Sequence, residues 1–490
     1  MIAAKISPSQ REQLQERLLA RGLIDEDYQT LWHLLEYGVA AKEQPQDQQG
    51  RTTQPPKEKA KKHKGHGRLS EQDYPGARDV EVPYGKHKPG DRCPCGRGHL
   101  YGNKTRRLLT LMGNAPVEAI RYLVNQLRCS ACGDTFDATP PEHRWGKHHP
   151  SACASVALMK YGLGVPGYRL QHMQQYCGVP PPDATQWDMV SKVADSLEPV
   201  FKALEHLAAQ RDLLHVDDTS MPVLSLIKEN KTKPKGARYG SHATGIVSRH
   251  GQYDIYLYYV GRNHAGENLQ HLLEKRQADL GAPMQMGDAS ACNTKHTHDT
   301  DVAFCHAHAF RKYEELSGTP EVDSILSLMG KVFANDRKTR EMDDQKRLRF
   351  HQKHSQPVMH KLKCHLNKLL DEKLVEPNSS LGGAIKYMLK RMAGFERFLH
   401  VPGAPLDNNL TERALKKIIR LRKNAGFFKT ESSAVVGAQV TSVLATTTAC
   451  GANPMDYFQA VLIHESDVSR HPHRWLPWNY RDRVKELAGT

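Results

Sequence analysis

The sequence predicts a multi-domain α/β fold built on a mixed β-sheet, and three observations carry that expectation. Two apolar, strand-like runs end in acids: Leu213-Leu-His-Val-Asp-Asp-Thr219 and Met284-Gln-Met-Gly-Asp288. Between them lie alternating runs at residues 242–248 and 253–260 and a helical stretch at 264–276, which gives the order three strands, helix, strand. Beyond them, residues 317–401 carry Leu, Lys, Arg and His at helical spacing with no strand alternation. An all-helical insertion therefore separates the last strands from the next part of the core.

The segments around this core follow in order. Residues 1–43 form an N-terminal helical segment, with Leu14, Leu18, Leu19 and Leu23, then Leu31, Leu34 and Leu35, at helical spacing and Gly22 dividing two short helices. Over 44–75 Gln, Pro, Lys and Gly replace apolar residues, the composition of a flexible basic linker. Residues 76–140 read as a zinc ribbon. Cys93-Pro-Cys95 and Cys129-Ser-Ala-Cys132 flank two alternating runs at 106–112 and 117–127, and thiolates so spaced hold Zn²⁺ in a segment with too little apolar mass to fold alone. The first knuckle is Cys-x-Cys, which leaves Cys95 or His99 as the fourth ligand. Residues 141–205 are helical, and the stretch from Tyr168 to Trp187 around Gly178 has the shape of a helix-turn-helix that binds DNA, or of a helical hairpin packed on its neighbours. The first part of the core spans 206–316, the insertion 317–401, a helix-bearing second part 402–450, and a short helix with an extended aromatic tail 451–490.

Charge narrows the chemistry. The 490 residues carry a formal net charge of +15 and a pI near 9.2, so a polyanion outranks a small molecule as partner. No apolar run approaches about 18 residues and the start lacks a signal-peptide core, which predicts a cytoplasmic protein with no membrane contact. Ten cysteines in a chain of this size, four of them clustered, read as reduced thiols and metal ligands.

The acids supply the reaction. An acid after each of two strands, with Glu412 early in a helix, is how an RNase H-like sheet brings three carboxylates to two Mg²⁺ ions, or Mn²⁺ in their place, for phosphoryl transfer. Adjacent strand residues face opposite sides, so one of Asp217 and Asp218 joins Asp288 and Glu412 while the other faces away; the strand pattern does not choose. After Glu412, the residues Arg413, Lys416, Lys417, Arg420, Arg422 and Lys423 make a positive stripe suited to DNA phosphates.

From about residue 76 to its end the chain resembles the transposases of the insertion sequence 66 family of bacterial mobile elements. The likeness is carried by His215-Val-Asp-Asp-Thr219, Met286-Gly-Asp288, Cys305-His-Ala-His308 with Arg311-Lys-Tyr313, Asp407-Asn-Asn-Leu-Thr-Glu-Arg413, Arg422-Lys-Asn424 and Leu476-Pro-Trp-Asn479. It implies that Asp217, Asp288 and Glu412 are the catalytic triad of a DDE transposase, with Asp218 where the family usually has Glu. It further implies cleavage at terminal inverted repeats and strand transfer by the released 3′-hydroxyl. The partners implied are double-stranded DNA at transposon ends and target, a homodimer or larger assembly on the nucleoid, and small accessory proteins of the same element. Ala289-Ser290 and Ala425-Gly426 depart from the family's usual Gly-Tyr and aromatic residues, which bears on end or target preference more than on chemistry. Cys305 and His308 imply either a second zinc site with His296, His298 and His306 or a packed, hydrogen-bonded Cys–His pair. A reading of another class keeps the DNA binding and makes the nuclease core structural, as in a regulator or domesticated relative.

Overall fold

The computed structural model describes residues 88–95, 97–101, 115–128, 135–139, 147–234, 237–290, 293 and 299–489. The expected N-terminal helices, the basic linker, the run at 106–112, Cys129, Cys132, His296 and His298 lie outside the described residues. The chain divides into two compact units, Met1–Leu111 and Met112–Thr490. In the first, Cys93 and Cys95 sit in a tight turn closed by an antiparallel bridge between Arg92 and His99, with Cys93 N donating to Gly98 O at 2.8 Å.

The second unit opens with a small ladder, β1 (Gln126–Arg128) antiparallel to β2 (Thr135–Asp137). Of the alternating run expected over 117–127, only the last residues pair. Ile120, Leu123 and Leu127 stand 76%, 83% and 74% exposed, and an alternating run becomes a strand only where a facing surface takes up one side.

Helices α1 (Pro150–Ala157), α2 (Gly167–Tyr176) and α3 (Asp183–Ala209) then lead into β3 (Leu213–Ser220). Next come α4 (Leu224–Asn230), β4 (His242–His250), β5 (Tyr253–Gly261), α5 (Ala265–Leu273), β6 (Met284–Gly287) and β7 (Asp301–Phe304). These make a mixed five-stranded sheet in the order β5-β4-β3-β6-β7. The meander β3–β4–β5 is antiparallel, and β3, β6 and β7 run parallel. The strand β7 carries no clear alternation in four residues, which is why sequence pattern does not announce it.

The expected all-helical insertion is present. After α6 (His306–Glu314) come α7 (Pro320–Lys338), α8 (Asp344–His354), α9 (Gln356–Asp371), α10 (Ser380–Leu389) and α11 (Met392–Phe395). Their apolar faces form a core of their own, with Ile325, Leu362, Leu366, Ile385 and Met388 buried, and it reaches the sheet through Met286 and Ala303. The chain returns as α12 (Asn409–Ala425) and α13 (Glu431–Ala449). Helix α13 covers the open edge of β5: Tyr256 N donates to Thr446 Oγ1 at 3.0 Å and Tyr258 N to Ser442 Oγ at 2.8 Å. Buried hydroxyls thus satisfy edge amides that would otherwise template another strand.

The short helix expected at the start of the tail is α14 (Pro454–Ile463), and the aromatic segment beyond it, expected to be extended, is instead largely helical, with α15 (Glu465–Arg470) and α16 (Tyr480–Ala488). Trp475 is fully buried, with Nε1 donating to Asp467 Oδ2 and its carbonyl accepting from Tyr457 OH, both at 2.7 Å. Satisfying that indole while burying its ring compacts the segment into turns. Among the described residues no helix is long and apolar enough to cross a membrane.

Candidate active site

The two faces of β3 part its adjacent acids. Asp217 is paired across the sheet with Gly245 and Asp218 with Thr244. A Cβ on Gly245 would meet Leu415 of α12 at 3.1 Å, whereas Thr244 Oγ1 accepts from Asn268 of α5 at 2.8 Å. Paired residues share a face, so Asp217 looks toward α12, the helix of Glu412, and Asp218 toward α5. There Asp218 Oδ2 accepts from Ala265 N at 3.3 Å and stands 3.0 Å from His264 Nδ1. Its carboxylate occupies the N-terminus of α5, where an acid offsets the helix dipole.

Asp217, Asp288 and Glu412 share one field. Burial, followed by the charge of Asp288, pushes the Asp217 carboxyl up to about 7, and Asp218 and Glu412 add to the repulsion. Such mutual effects operate only between charges close together in a medium of low polarisability. Asp217 Oδ1 accepts from Asp218 N at 2.9 Å. Asp288 leaves the end of β6, its Oδ1 accepting from Ser290 N at 3.1 Å and from Asn293 Nδ2. Before it, a Cβ on Gly287 would lie 3.0 Å from Val216 O, so the close approach of β6 to β3 asks for glycine there. Glu412 stands in the first turn of α12, and Arg311 Nη2 donates to its Oε2 at 2.5 Å. Its other oxygen, Oε1, is buried without a hydrogen-bond partner, as is His308 Nδ1, which lies 3.5 Å away.

Sequence reasoning gave no role to the latch that joins these segments. Asn408, fully buried just before α12, donates from Nδ2 to Val216 O at 3.0 Å, places Oδ1 3.1 Å from His215 Nδ1, and donates its backbone N–H to Cys305 Sγ at 3.2 Å. One amide thereby ties β3, the end of β7 and the helix of Glu412. Its signal was available in Asp407-Asn-Asn, because a polar residue before a helix asks for a partner. The Cys305 thiol, pushed up to about 11 by burial, accepts from the backbone N–H of Asn408 and from that of His308, so its contact with His308 runs through the main chain. His306 is a core residue: burial pushes its imidazole down to about 4, and it bonds Phe395 O at 2.7 Å. Cys305, His308 and Glu412 nonetheless bring one ligand atom each within 4.8 Å of one another.

The basic stripe divides into bound and exposed residues. Arg422 Nη1 bonds Ser220 Oγ at 2.8 Å and Thr219 Oγ1 at 3.2 Å, Arg420 bonds Gly162 O, and the half-buried Lys417 lies over the Tyr256 ring at 5.9 Å. Arg413, Lys416 and Lys423 are exposed. Lys416 and Lys423 fall within roughly 40° of Glu412 around the helix axis. In the helical hairpin, Gln174 and Gln186 are fully buried: Gln174 Nε2 donates to Val117 O of the preceding segment at 2.7 Å and to Val179 O in the turn at 3.2 Å, and Gln186 Nε2 donates to Pro181 O in the turn at 2.9 Å. The thiol of Cys95 is held below its ordinary value by the backbone amide of Arg97 and then by Cys93.

Residues 146–436 match the profile of a family described as "Transposase IS66 family". Among curated proteins of Sinorhizobium fredii, "Uncharacterized protein y4jD" is 24% identical over 415 residues, covering 81% of this chain and 80% of its own. "Uncharacterized protein y4hP" is 25% identical over 433 residues, covering 82% and 76%.

Proposed function

Because the chain belongs to the IS66 family of transposases, we propose that it is a DDE enzyme on an RNase H-like core, cutting at its element's terminal inverted repeats and joining the freed 3′-hydroxyl to target DNA. The observation that carries this reading is geometric: Asp217 faces the helix of Glu412, and Asp288 leaves the adjacent strand β6, so acids from segments 71 and 195 positions further along (288 − 217 and 412 − 217) bear on one buried carboxyl. A fold that gathers three repelling acids, and leaves Glu412 Oε1 buried without a hydrogen-bond donor, fits cations. Asp217, Asp288 and Glu412 would hold two Mg²⁺, or Mn²⁺, whose Lewis acidity activates a water or 3′-hydroxyl and neutralises charge on the phosphate.

The chain's own groups supply the rest. Asp218 N–H fixes one oxygen of Asp217, and Ser290 N–H with Asn293 fixes one of Asp288, so their remaining oxygens are oriented. Arg311, 48% exposed beside Glu412, offers a guanidinium to a phosphate oxygen. Lys416 and Lys423 line the approach with positive charge. No protein nucleophile is required: Cys305 is a buried, protonated thiol, and the hydroxyls of Tyr258 and Tyr313 are buried donors to Ala414 O and Ala384 O. Structural Zn²⁺ on the paired cysteines completes the proposal. The test is a strand-transfer assay in Mg²⁺ with a pre-cut duplex bearing the element's end and a supercoiled target. Joined products support the reading, and hydrolysis of ends without joining rejects the transfer step.

A further inference from the structure

A second cluster stands on the opposite side of β3 from the three acids. A carboxylate oxygen of Asp218 and one ring nitrogen each from His242 and His264 lie within 4.8 Å of one another, and all three residues are half-buried. The imidazoles of His242 and His264 lie with centroids 3.8 Å apart, tilted by 37° to each other. Capping of α5 accounts for Asp218 and His264, through the contacts of Oδ2 with His264 Nδ1 and Ala265 N. It does not account for His242, which comes from the start of β4 and adds a second imidazole to a carboxylate already provided for.

We propose that Asp218, His242 and His264 form a metal site for a borderline transition ion of the Zn²⁺ class, separate from the carboxylate site and leaving one coordination position to water. Two imidazoles and one carboxylate are the donor set such ions favour, whereas Mg²⁺ takes all-oxygen sites. Ligands at about 2.0–2.2 Å from a tetrahedral ion stand roughly 3.4 Å apart; His264 Nδ1 and Asp218 Oδ2 are 3.0 Å apart, and all three ligand atoms lie within 4.8 Å of one another. Glu267 does not compete for the ion, because Arg238 Nη1 holds its Oε1 at 2.8 Å and His264 N holds its Oε2 at 2.8 Å. Gly240 makes room for the arrangement: a Cβ there would come within 2.5 Å of His242 Nε2. A bound ion braces β3, β4 and the start of α5 against one another, and it offsets the charge of Asp218 that bears on Asp217. The assignment stands independently of the roles proposed for Asp217, Asp288 and Glu412.

The experiment titrates the full-length, metal-stripped protein with Co²⁺ in excess Mg²⁺, which occupies carboxylate sites. Visible d–d bands count bound Co²⁺, and the near-ultraviolet thiolate band marks any ion held by cysteines. The site predicts one Co²⁺ without a thiolate band, displaced by Zn²⁺ and lost in His242→Ala. Gly240→Ala, which keeps every donor and moves only the His242 ring, should weaken that ion by about tenfold or more. Thermal melting without metal checks that both variants fold. Equal Co²⁺ stoichiometry in wild type and His242→Ala, or thiolate-bound Co²⁺ alone, overturns the proposal.

Discussion

Arg311 and Glu412, 101 residues apart, meet in an ion pair of 2.5 Å, so the acid on α12 is already held by a cation from α6. A half-exposed pair of this kind contributes about 0.5–1 kcal/mol. Removing the guanidinium should therefore strengthen divalent-ion binding by roughly 2–5-fold in the absence of DNA. Mn²⁺ titration of Arg311→Gln followed by electron paramagnetic resonance checks this. Weaker Mn²⁺ binding in the variant would mean that Arg311 orients Glu412 for the ion instead of competing with it.

Stability of the metal-free chain should fall as pH rises. The Asp217 carboxyl is raised from 3.8 to about 7, so between those values the folded chain keeps a proton that the unfolded chain has released. Its contribution is complete below about pH 4 and is lost as pH rises through about 7, on the order of 2–4 kcal/mol in all. Melting temperatures measured from pH 5 to pH 8 should drop less in Asp217→Asn than in wild type. Saturating Mg²⁺ should flatten the wild-type profile too. Parallel profiles for the two proteins would contradict the shared field of the acids.

The exposed lysines in line with Glu412 should act through phosphate alone. A Lys416→Ala/Lys423→Ala variant should lower the log–log salt slope of DNA binding by roughly 2, equally for end-bearing and random duplex. Arg422→Ala should instead lower thermal stability, since its contacts are Ser220 and Thr219 at the end of β3. An unchanged salt slope in the double variant would return the stripe to an ordinary solvated face.

Asn408→Ala should be costly for its size. It strands Val216 O and the His215 ring in a buried setting, a loss of about 2–4 kcal/mol by chemical denaturation. It should also reduce cleavage at temperatures where the variant stays folded, because Asn408 fixes α12 against β3. Full activity in a folded Asn408→Ala protein would show that the latch serves stability alone.

How much of this could be read from the sequence depended on range. The strand that carries Asp217 and the one that precedes Asp288 were legible because apolar runs and turn chemistry are local. The choice between Asp217 and Asp218 was not, since both are acids on one strand and the decision lies in which helix covers which face of β4, Gly245 toward α12 and Thr244 toward α5. Periodicity announced a basic face on α12 but gave no sign that Arg420 and Arg422 are bound to partners at Gly162 and Ser220, more than 200 residues earlier. Alternation over 117–127 and the aromatic tail misled for one reason: pairing and burial partners, absent for Leu123 and supplied for Trp475, settle what a short segment becomes.

Cleavage of a duplex carrying the element's ends, in Mg²⁺ and with DNA binding measured alongside, tests the central claim most directly. Asp217→Asn, Asp288→Asn and Glu412→Gln should each bind DNA as wild type does and cut at background rate, because each removes one charge from the shared site with little change in volume. Asp218→Asn, on the far face of β3, should cut within about tenfold of wild type, since its loss removes a helix cap and not a member of the trio. Cleavage by Asp217→Asn together with a dead Asp218→Asn, or undiminished cutting by any of the trio, would contradict the account.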